Sequence, residues 1–108
     1  MPPVPAKKLA VLACMDARVD VERILGLEEG DAHVIRNAGA LVTDDVRRSL
    51  EVSRSLGTDE VVVMLHTDCG GRRGDLDAAA RAAADEIGGD ARGCVYDVET
   101  RELRDAGG

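Results

Sequence analysis

Three side chains that could bind a transition metal lie in two short clusters of the sequence. Cys14 opens the segment Cys14–Arg18, and His66 and Cys69 lie three residues apart in the segment His66–Gly70. Cysteine and histidine are ligands that Zn²⁺ selects. Three protein ligands leave a fourth position open for water, which is typical of catalytic rather than structural zinc. Zinc lowers the pKa of bound water toward neutrality, so these residues predict a site that supplies hydroxide.

Asp16 and Arg18 add a carboxylate and a guanidinium to the first cluster. Residues two apart in an extended segment share a face, so these two side chains are expected to form an oriented ion pair. Asp16 is also two residues from Cys14, within reach of the ion or its bound water. While Arg18 holds it, Asp16 can accept a hydrogen bond from that water. If the pair breaks, Asp16 could become the fourth ligand and close the site.

Other residues with reactive side chains have simpler interpretations. Cys14 taken alone could equally be an inert core thiol, but the three candidate ligands together favour a shared metal. Cys94 lies within an apolar segment and is interpreted as core, and His33 opens a strand and is interpreted as structural. Asp68 is expected to be a solvated or capping carboxylate. Gly70–Gly74 lacks the Gly-Lys-Ser/Thr ending of a phosphate loop.

Alternating strand and helix patterns explain how the two clusters could meet. The patterns predict strands over 9–13, 33–37, 61–65 and 94–98, helices over 19–27, 44–56 and 75–87, and a short return strand near Leu103. Such alternation predicts an α/β fold, with a mainly parallel β-sheet flanked by helices and a short antiparallel edge strand. Ligands bind at the carboxyl ends of the strands in such sheets, and both clusters occupy that position.

The composition predicts one domain with a core of small side chains. The chain has 108 residues, no Phe and no Trp, and Tyr96 is its only aromatic residue. Small apolar side chains bury less area each, so a lone domain should be marginally stable, and burial against a second copy would offset this. We therefore expect a single domain over 1–108, in which the Pro-rich residues 1–7 form a flexible arm.

Charge and hydropathy exclude two classes of partner. The net charge is −7 and the cationic residues are dispersed without interleaved aromatics, which argues against nucleic acid. No apolar stretch approaches the ~20 residues of a membrane span, and no signal-peptide core precedes the first strand. Three cysteines without an export signal favour a reduced, cytoplasmic setting.

These motifs resemble those of the β-class carbonic anhydrases. The family's Cys-x-Asp-x-Arg motif appears as Cys14–Arg18, and its His-x-x-Cys-Gly motif appears as His66–Gly70. The segments 30–39 and 93–98 are similar to the family's second strand and last core strand. The resemblance implies a β-carbonic-anhydrase-like fold. It also implies homodimers or higher homo-oligomers, with the sites at dimer interfaces.

The resemblance also implies roles for individual residues. One Zn²⁺ per chain would be bound by Cys14, His66 and Cys69, with Asp16 and Arg18 as the catalytic dyad. Zinc-bound hydroxide would attack CO₂ in the reversible hydration to bicarbonate, which is the reaction of a carbonate dehydratase. Substrate is expected to contact two further residues, Gly70 and Asn37.

The sequence departs from the family pattern at two places, which leaves alternatives open. The first strand begins almost at once, where family members carry a helical arm, and the stretch between Gly70 and the last strand is short. A related zinc hydrolase acting on carbonyl sulfide or carbon disulfide would use the same ligands. A zinc-binding protein with little catalysis is the third possibility.

Overall fold

Strands and helices alternate along the chain in the predicted order. The computed structural model describes residues 3–72 and 74–106. The elements are β1 (Leu9–Cys14), α1 (Val21–Leu25), β2 (Ala32–Asn37), α2 (Asp44–Ser55), β3 (Glu60–His66), α3 (Leu76–Ile87), β4 (Ala91–Tyr96) and β5 (Leu103–Asp105). The strands form a five-stranded sheet in the order β2-β1-β3-β4-β5. β1 to β4 are parallel and β5 is antiparallel to β4, which confirms the predicted fold class.

The sheet has a separate apolar cluster on each face, because side chains alternate between the faces along each strand. All six residues of β1 are buried, as expected of a central parallel strand. Under α2 and α3 the buried residues are Ala10, Leu12, Ala40, Val46, Leu50, Val61, Val63, Leu65, Ala80, Ala83, Val95 and Ala106. On the opposite face, which α1 covers, they are Leu9, Val11, Ala13, Val19, Val21, Val62, Met64, Cys94 and Tyr96.

The helix α2 begins at Asp44, as the sequence predicts, and α3 begins one residue later than predicted, at Leu76. Thr43 is the N-cap of α2, and its Oγ1 accepts a hydrogen bond from the Val46 N–H at 3.2 Å. Asp75 caps α3 in the same way, with its carboxylate 3.0 Å from the Ala78 nitrogen. Each cap satisfies a backbone donor that has no partner within its helix.

The first helix is shorter than predicted. The apolar spacing over 19–27 indicated a helix closed by Gly30, but α1 covers only Val21–Leu25. Asp20 caps its start, and Gly26 ends it in the left-handed conformation at φ 67°. Glycine adopts this conformation without a steric penalty, so the helix ends at the first glycine rather than the second.

The last parallel strand lies earlier than predicted. It covers Ala91–Tyr96 instead of 94–98 and includes Gly93. A Cβ on Gly93 would lie 2.6 Å from the Ala80 carbonyl oxygen and 2.8 Å from the Ala80 Cβ. The missing side chain therefore lets α3 pack directly on the backbone of β4, an approach that no local sequence pattern reveals.

Residues 3–7 contact the domain in this structure. Pro5 is buried, and the N–H groups of Ala6 and Lys7 donate to backbone carbonyls just before β2, at 2.9 and 3.0 Å. Residues 1 and 2 of the predicted arm, and residues 107 and 108 of the predicted domain, lie outside the described residues. Among residues 3–72 and 74–106, no helix has both the length and the apolar character to cross a bilayer.

Replacing Gly93 with alanine should destabilise the fold. The new methyl group would overlap Ala80, and overpacking of a core costs about 1–3 kcal/mol. Urea unfolding should therefore show a lower midpoint for Gly93→Ala. Gly70→Ala is the matched control, since a Cβ there meets no atom within 4 Å. Equal midpoints for the two variants would contradict the close helix–strand contact.

Candidate metal centre

The three predicted ligands lie together at the carboxyl edge of the sheet. β1 and β3 are adjacent parallel strands that end at Cys14 and His66, and Cys69 lies in the loop after β3. The two cysteine Sγ atoms are 3.8 Å apart. One ligand atom from each of the three residues lies within 4.8 Å of the other two. The strand pairing therefore brings together the residues that the sequence grouped as ligands.

The imidazole of His66 has one buried nitrogen that is free to coordinate a metal ion. It is 1 % exposed, and Nδ1 lies 2.7 Å from the Thr67 carbonyl oxygen. A carbonyl only accepts hydrogen bonds, so the proton is assigned to Nδ1 and the lone pair to Nε2. Nε2 is buried and has no hydrogen-bond partner among the described residues. An unpaired buried nitrogen is costly, and coordination of a metal by Nε2 would satisfy it.

The two cysteines differ in how readily they ionise. Burial raises the pKa of Cys14, but hydrogen bonds, chiefly from the backbone N–H groups of Gly39 and Asp16, outweigh this effect and bring the pKa to about 7. The Gly39 nitrogen is 3.3 Å from the Cys14 Sγ. Burial raises the pKa of Cys69, and the neighbouring Cys14 thiol adds to the rise. A divalent cation between the sulfurs would stabilise both as thiolates.

Asp16 and Arg18 form the ion pair that the sequence predicts. The Arg18 Nε donates to Asp16 Oδ1 at 3.0 Å, and Nη2 donates to Oδ2 at 2.7 Å. The Arg18 backbone N–H adds a bond of 2.8 Å to Oδ1. The side-chain bonds from Arg18 are the main reason that the pKa of Asp16 lies well below its usual range. Oδ2 is also 3.8 Å from His66 Nε2, so an ionised carboxylate borders the ligand atoms.

Arg18 has a second acidic partner that sequence reasoning missed. The Arg18 Nη1 donates to Asp68 Oδ2 and Nη2 donates to the Asp68 carbonyl oxygen, both at 3.1 Å. Asp68 was expected to be solvated or capping, and its carboxylate is indeed largely exposed while it binds Arg18. Its φ of 53° lies in the left-handed region. The guanidinium therefore connects the two segments that contain the candidate ligands.

Arg36 holds the loop that follows Cys14. Its Nε donates to the Cys14 carbonyl at 3.0 Å, and its Nη2 donates to the carbonyls of Asp16 at 2.9 Å and Val19 at 2.7 Å. In the sheet Arg36 lies beside Ala13 of β1, which brings its side chain to this loop. The sequence signal was a cation next to the last residue of a predicted strand, but its partners could be found only from the strand pairing.

The two predicted substrate contacts, Asn37 and Gly70, lie near the ligands but in different surroundings. The Asn37 side chain accepts from the Leu41 N–H at 2.8 Å and donates to the Leu41 carbonyl at 2.9 Å. Asn37 therefore closes the loop after β2. Gly70 is exposed and follows Cys69 directly. A role for either residue toward substrate stays a prediction.

Cys94 and His33 lie outside the metal centre, in agreement with their interpretation from sequence. Cys94 is buried within β4, its Sγ is 3.6 Å from the Val63 carbonyl oxygen, and burial raises its pKa to about 11. The His33 ring nitrogens lie 2.7 Å from Ser53 Oγ and 2.7 Å from the Pro3 carbonyl oxygen. The ring therefore connects α2 to the N-terminal segment.

Loss of one thiol at the sheet edge should abolish tight metal binding. We expect the purified wild-type chain to retain about one zinc ion and Cys14→Ser to retain little, because a hydroxyl is a far poorer zinc ligand than a thiolate. Metal content by mass spectrometry and competition with a chromogenic chelator measure the effect. Cys94→Ser changes a cysteine outside the cluster and should keep its zinc. Equal zinc retention in the two variants would contradict the site.

Comparison with known proteins agrees with this geometry. The sequence model of the carbonic anhydrase family matches residues 9–102. β-Carbonic anhydrase 1 of Mycobacterium tuberculosis is 56% identical over 89 residues, which are 82% of this chain and 55% of that protein. A carbon disulfide hydrolase of Saccharolobus solfataricus is 46% identical over 81 residues, 74% of this chain and 40% of that protein. The chain therefore spans about half the length, or less, of these curated relatives.

The fold is also similar to that of a carbonic anhydrase of known structure. The crystal structure of a carbonic anhydrase from Streptococcus mutans superposes with a TM-score of 0.90 at 35% sequence identity, and the match covers 99% of this chain and 86% of that one. The family match includes both segments that contain the candidate ligands and the whole of β1 to β4. On the family match, the sequence identity and the shared fold, the chain belongs to the carbonic anhydrase family, in its β class.

Proposed function

We propose that the chain is a zinc-dependent carbonate dehydratase, which catalyses the reversible hydration of CO₂ to bicarbonate and a proton. The observation that carries the proposal is the convergence of Cys14 Sγ, His66 Nε2 and Cys69 Sγ beside the Asp16–Arg18 pair. The 56% identity to a β-carbonic anhydrase supports the same activity. The proposed cofactor is one Zn²⁺ per chain, bound by these three residues.

The ligand residues fit a zinc ion that acts on water. When bound, zinc supplies the Lewis acidity that makes water a nucleophile near neutral pH. The Thr67 carbonyl keeps the proton on His66 Nδ1 and so leaves Nε2 free to coordinate. The Gly39 N–H stabilises the Cys14 thiolate. Three protein ligands leave one coordination position for the reaction.

Asp16 is the proposed positioning carboxylate. It stays ionised because Arg18 donates to both of its oxygens, so it can only accept hydrogen bonds. Its Oδ2, 3.8 Å from His66 Nε2, can orient a reacting water molecule through the proton of that water. Should Arg18 release it, Asp16 could instead take the fourth coordination position and close the site. We propose that the Arg18 contact keeps the site open.

A second copy of the chain is the proposed partner, in a homodimer or a higher homo-oligomer. Large apolar side chains that a partner could cover are exposed at Val4, Met15, Leu41, Val52 and Leu103. Met15 lies between Cys14 and Asp16, which places one of these side chains next to the proposed site.

We also propose a cytoplasmic setting, because Cys14 and Cys69 bind a metal only while they are reduced.

Hydrolysis of carbon disulfide or carbonyl sulfide is the second candidate function. The 46% identity to a carbon disulfide hydrolase favours it over other reactions. The same ligands and the same nucleophile would serve all three substrates, which are small linear molecules with an electrophilic carbon. Discrimination therefore depends on the walls of the substrate pocket rather than on the ligand set.

Turnover of the three substrates by one zinc-loaded preparation separates these functions. We expect kcat/KM for CO₂ hydration, followed by stopped-flow with a pH indicator, to exceed that for carbonyl sulfide and carbon disulfide. Hydrogen sulfide release faster than CO₂ hydration would establish the second function in its place. Full zinc content without turnover of any substrate would make the chain a zinc-binding protein with little catalysis.

Removal of Arg18 should lower activity by favouring the closed site. Arg18→Ala frees Asp16 to bind zinc, and we expect kcat/KM for CO₂ to fall about 10-fold or more, as is typical when an outer-shell partner of a metal site is removed. Arg23→Ala is the matched control, because Arg23 pairs with Asp20 at 3.8 Å outside the metal centre. A crystal structure of zinc-loaded Arg18→Ala in which Asp16 stays away from the metal would disprove the gating role.

A further inference from the structure

Two loops are in direct backbone contact beside the ligand sulfurs. One follows β2 and contains Gly39, and the other follows Cys69 and contains Gly71. A Cβ on Gly39 would lie 2.9 Å from the Gly71 carbonyl oxygen, and a Cβ on Gly71 would lie 2.9 Å from the Gly39 nitrogen. Neither position has room for a side chain. The placement of one loop therefore fixes the placement of the other.

The Arg72 side chain lies next to the candidate metal centre and forms hydrogen bonds across the contact between the two loops. Its Nε donates to the Gly39 carbonyl at 2.7 Å, and its Nη2 donates to the Ala40 carbonyl at 3.2 Å. Two donors of one planar group on successive carbonyls fix the orientation of the peptide between them. Arg72 also lines the small cavity that Cys14, His66 and Cys69 border.

The loop held by Arg72 needs such support. Ala40 is fully buried and has a φ of 51°, in the left-handed region that residues with a side chain rarely adopt. Gly39 has a φ of 89°. Residues in sparsely populated conformations persist where surrounding contacts over-determine them. The two bonds from Arg72 are such contacts.

The same loop carries the N–H group that reaches a metal ligand. The Gly39 nitrogen lies 3.3 Å from the Cys14 Sγ, in a buried contact. A hydrogen bond to a ligand thiolate withdraws charge from the sulfur and thereby reduces its donation to the metal. The N–H and the carbonyl of Gly39 belong to adjacent peptide units that share the Gly39 Cα. A shift of the carbonyl that Arg72 holds therefore moves this Cα and changes the contact between the N–H and the sulfur.

We propose that Arg72 is a positioning residue of the metal centre: by holding the carbonyls of Gly39 and Ala40, it fixes the Gly39 N–H on the Cys14 thiolate and sets the donor strength of that ligand. The inference rests on the proposed function, since it requires Cys14 to bind the metal. A purely structural role for Arg72 would affect stability alone and leave the metal–sulfur bond unchanged.

Cobalt-substituted protein provides a readout at the sulfur itself. Arg72→Met keeps the aliphatic stem and removes every donor, whereas Arg72→Lys keeps the charge without the planar fork. Arg81→Met is the matched control, because the Arg81 Nη1 donates to the Ala106 carbonyl at 2.6 Å, outside the metal centre. All four proteins are loaded with Co²⁺, and the thiolate-to-cobalt charge-transfer band is recorded together with the Co²⁺ affinity and the far-ultraviolet circular dichroism.

We expect the band to move to longer wavelength in Arg72→Met and by less in Arg72→Lys, since a sulfur that loses its hydrogen bond gives up charge more easily. The Co²⁺ affinity should fall about 10-fold in Arg72→Met, because the loop beside the ligand sulfur is no longer held in place, and this loss exceeds the gain from a sulfur that donates more strongly. A band and an affinity equal to those of Arg81→Met would overturn the proposal. If Arg72→Met fails to fold, the Arg72→Lys band decides in the same way. A wild-type chain with no thiolate band would instead refute the metal site itself.

Cadmium-substituted protein tests the Gly39 bond directly. In the ¹¹³Cd-loaded wild type, we expect through-bond coupling between the Gly39 amide proton and the metal, carried by the N–H···S contact. The coupling should be lost in Arg72→Met, weakened in Arg72→Lys and kept in Arg81→Met. Coupling that survives unchanged in both Arg72 variants would show that Arg72 does not position this group.

Discussion

The parallel pairing of β1 with β3 is the constraint on which the rest of the site depends. The two strands pair from Leu9 opposite Glu60 to Ala13 opposite Met64, and both end at a candidate ligand residue. β3 is buried along nearly its whole length between two packed clusters, so a one-residue shift in register would exchange its side chains between these clusters. The core therefore fixes the relative position of Cys14 and His66 before any metal is bound.

At the carboxyl ends of the strands and in the loops that follow, arginine side chains bind backbone carbonyls. Arg36 binds carbonyls in the loop after β1, Arg72 binds carbonyls in the loop after β2, and Arg18 connects Asp16 to the loop after β3. Each guanidinium offers several donors in a fixed plane, which suits it to hold irregular backbone. The chain has a net charge of −7, and these three cations hold the loops around the candidate site.

The candidate metal centre contains features that carry a local cost. His66 Nε2 is buried without a hydrogen-bond partner among the described residues. Ala40 and Asp68 adopt left-handed conformations nearby. A bound ion would compensate for the unpaired His66 nitrogen, whereas surrounding contacts, such as the bonds from Arg72, hold the left-handed backbone at Ala40. The apolar clusters on both faces of the sheet supply the stability that permits this local cost.

The sequence by itself determined the candidate ligand residues, the Asp16–Arg18 pair and the order of strands and helices, because these follow from side-chain chemistry and local spacing. It could not place the end of α1 or the start of β4, since the first depends on which glycine turns left-handed and the second on Gly93 lying against Ala80. It also missed the bonds of Arg72 to Gly39 and of Arg18 to Asp68. These contacts join segments far apart in the chain, so only the packed sheet decides them.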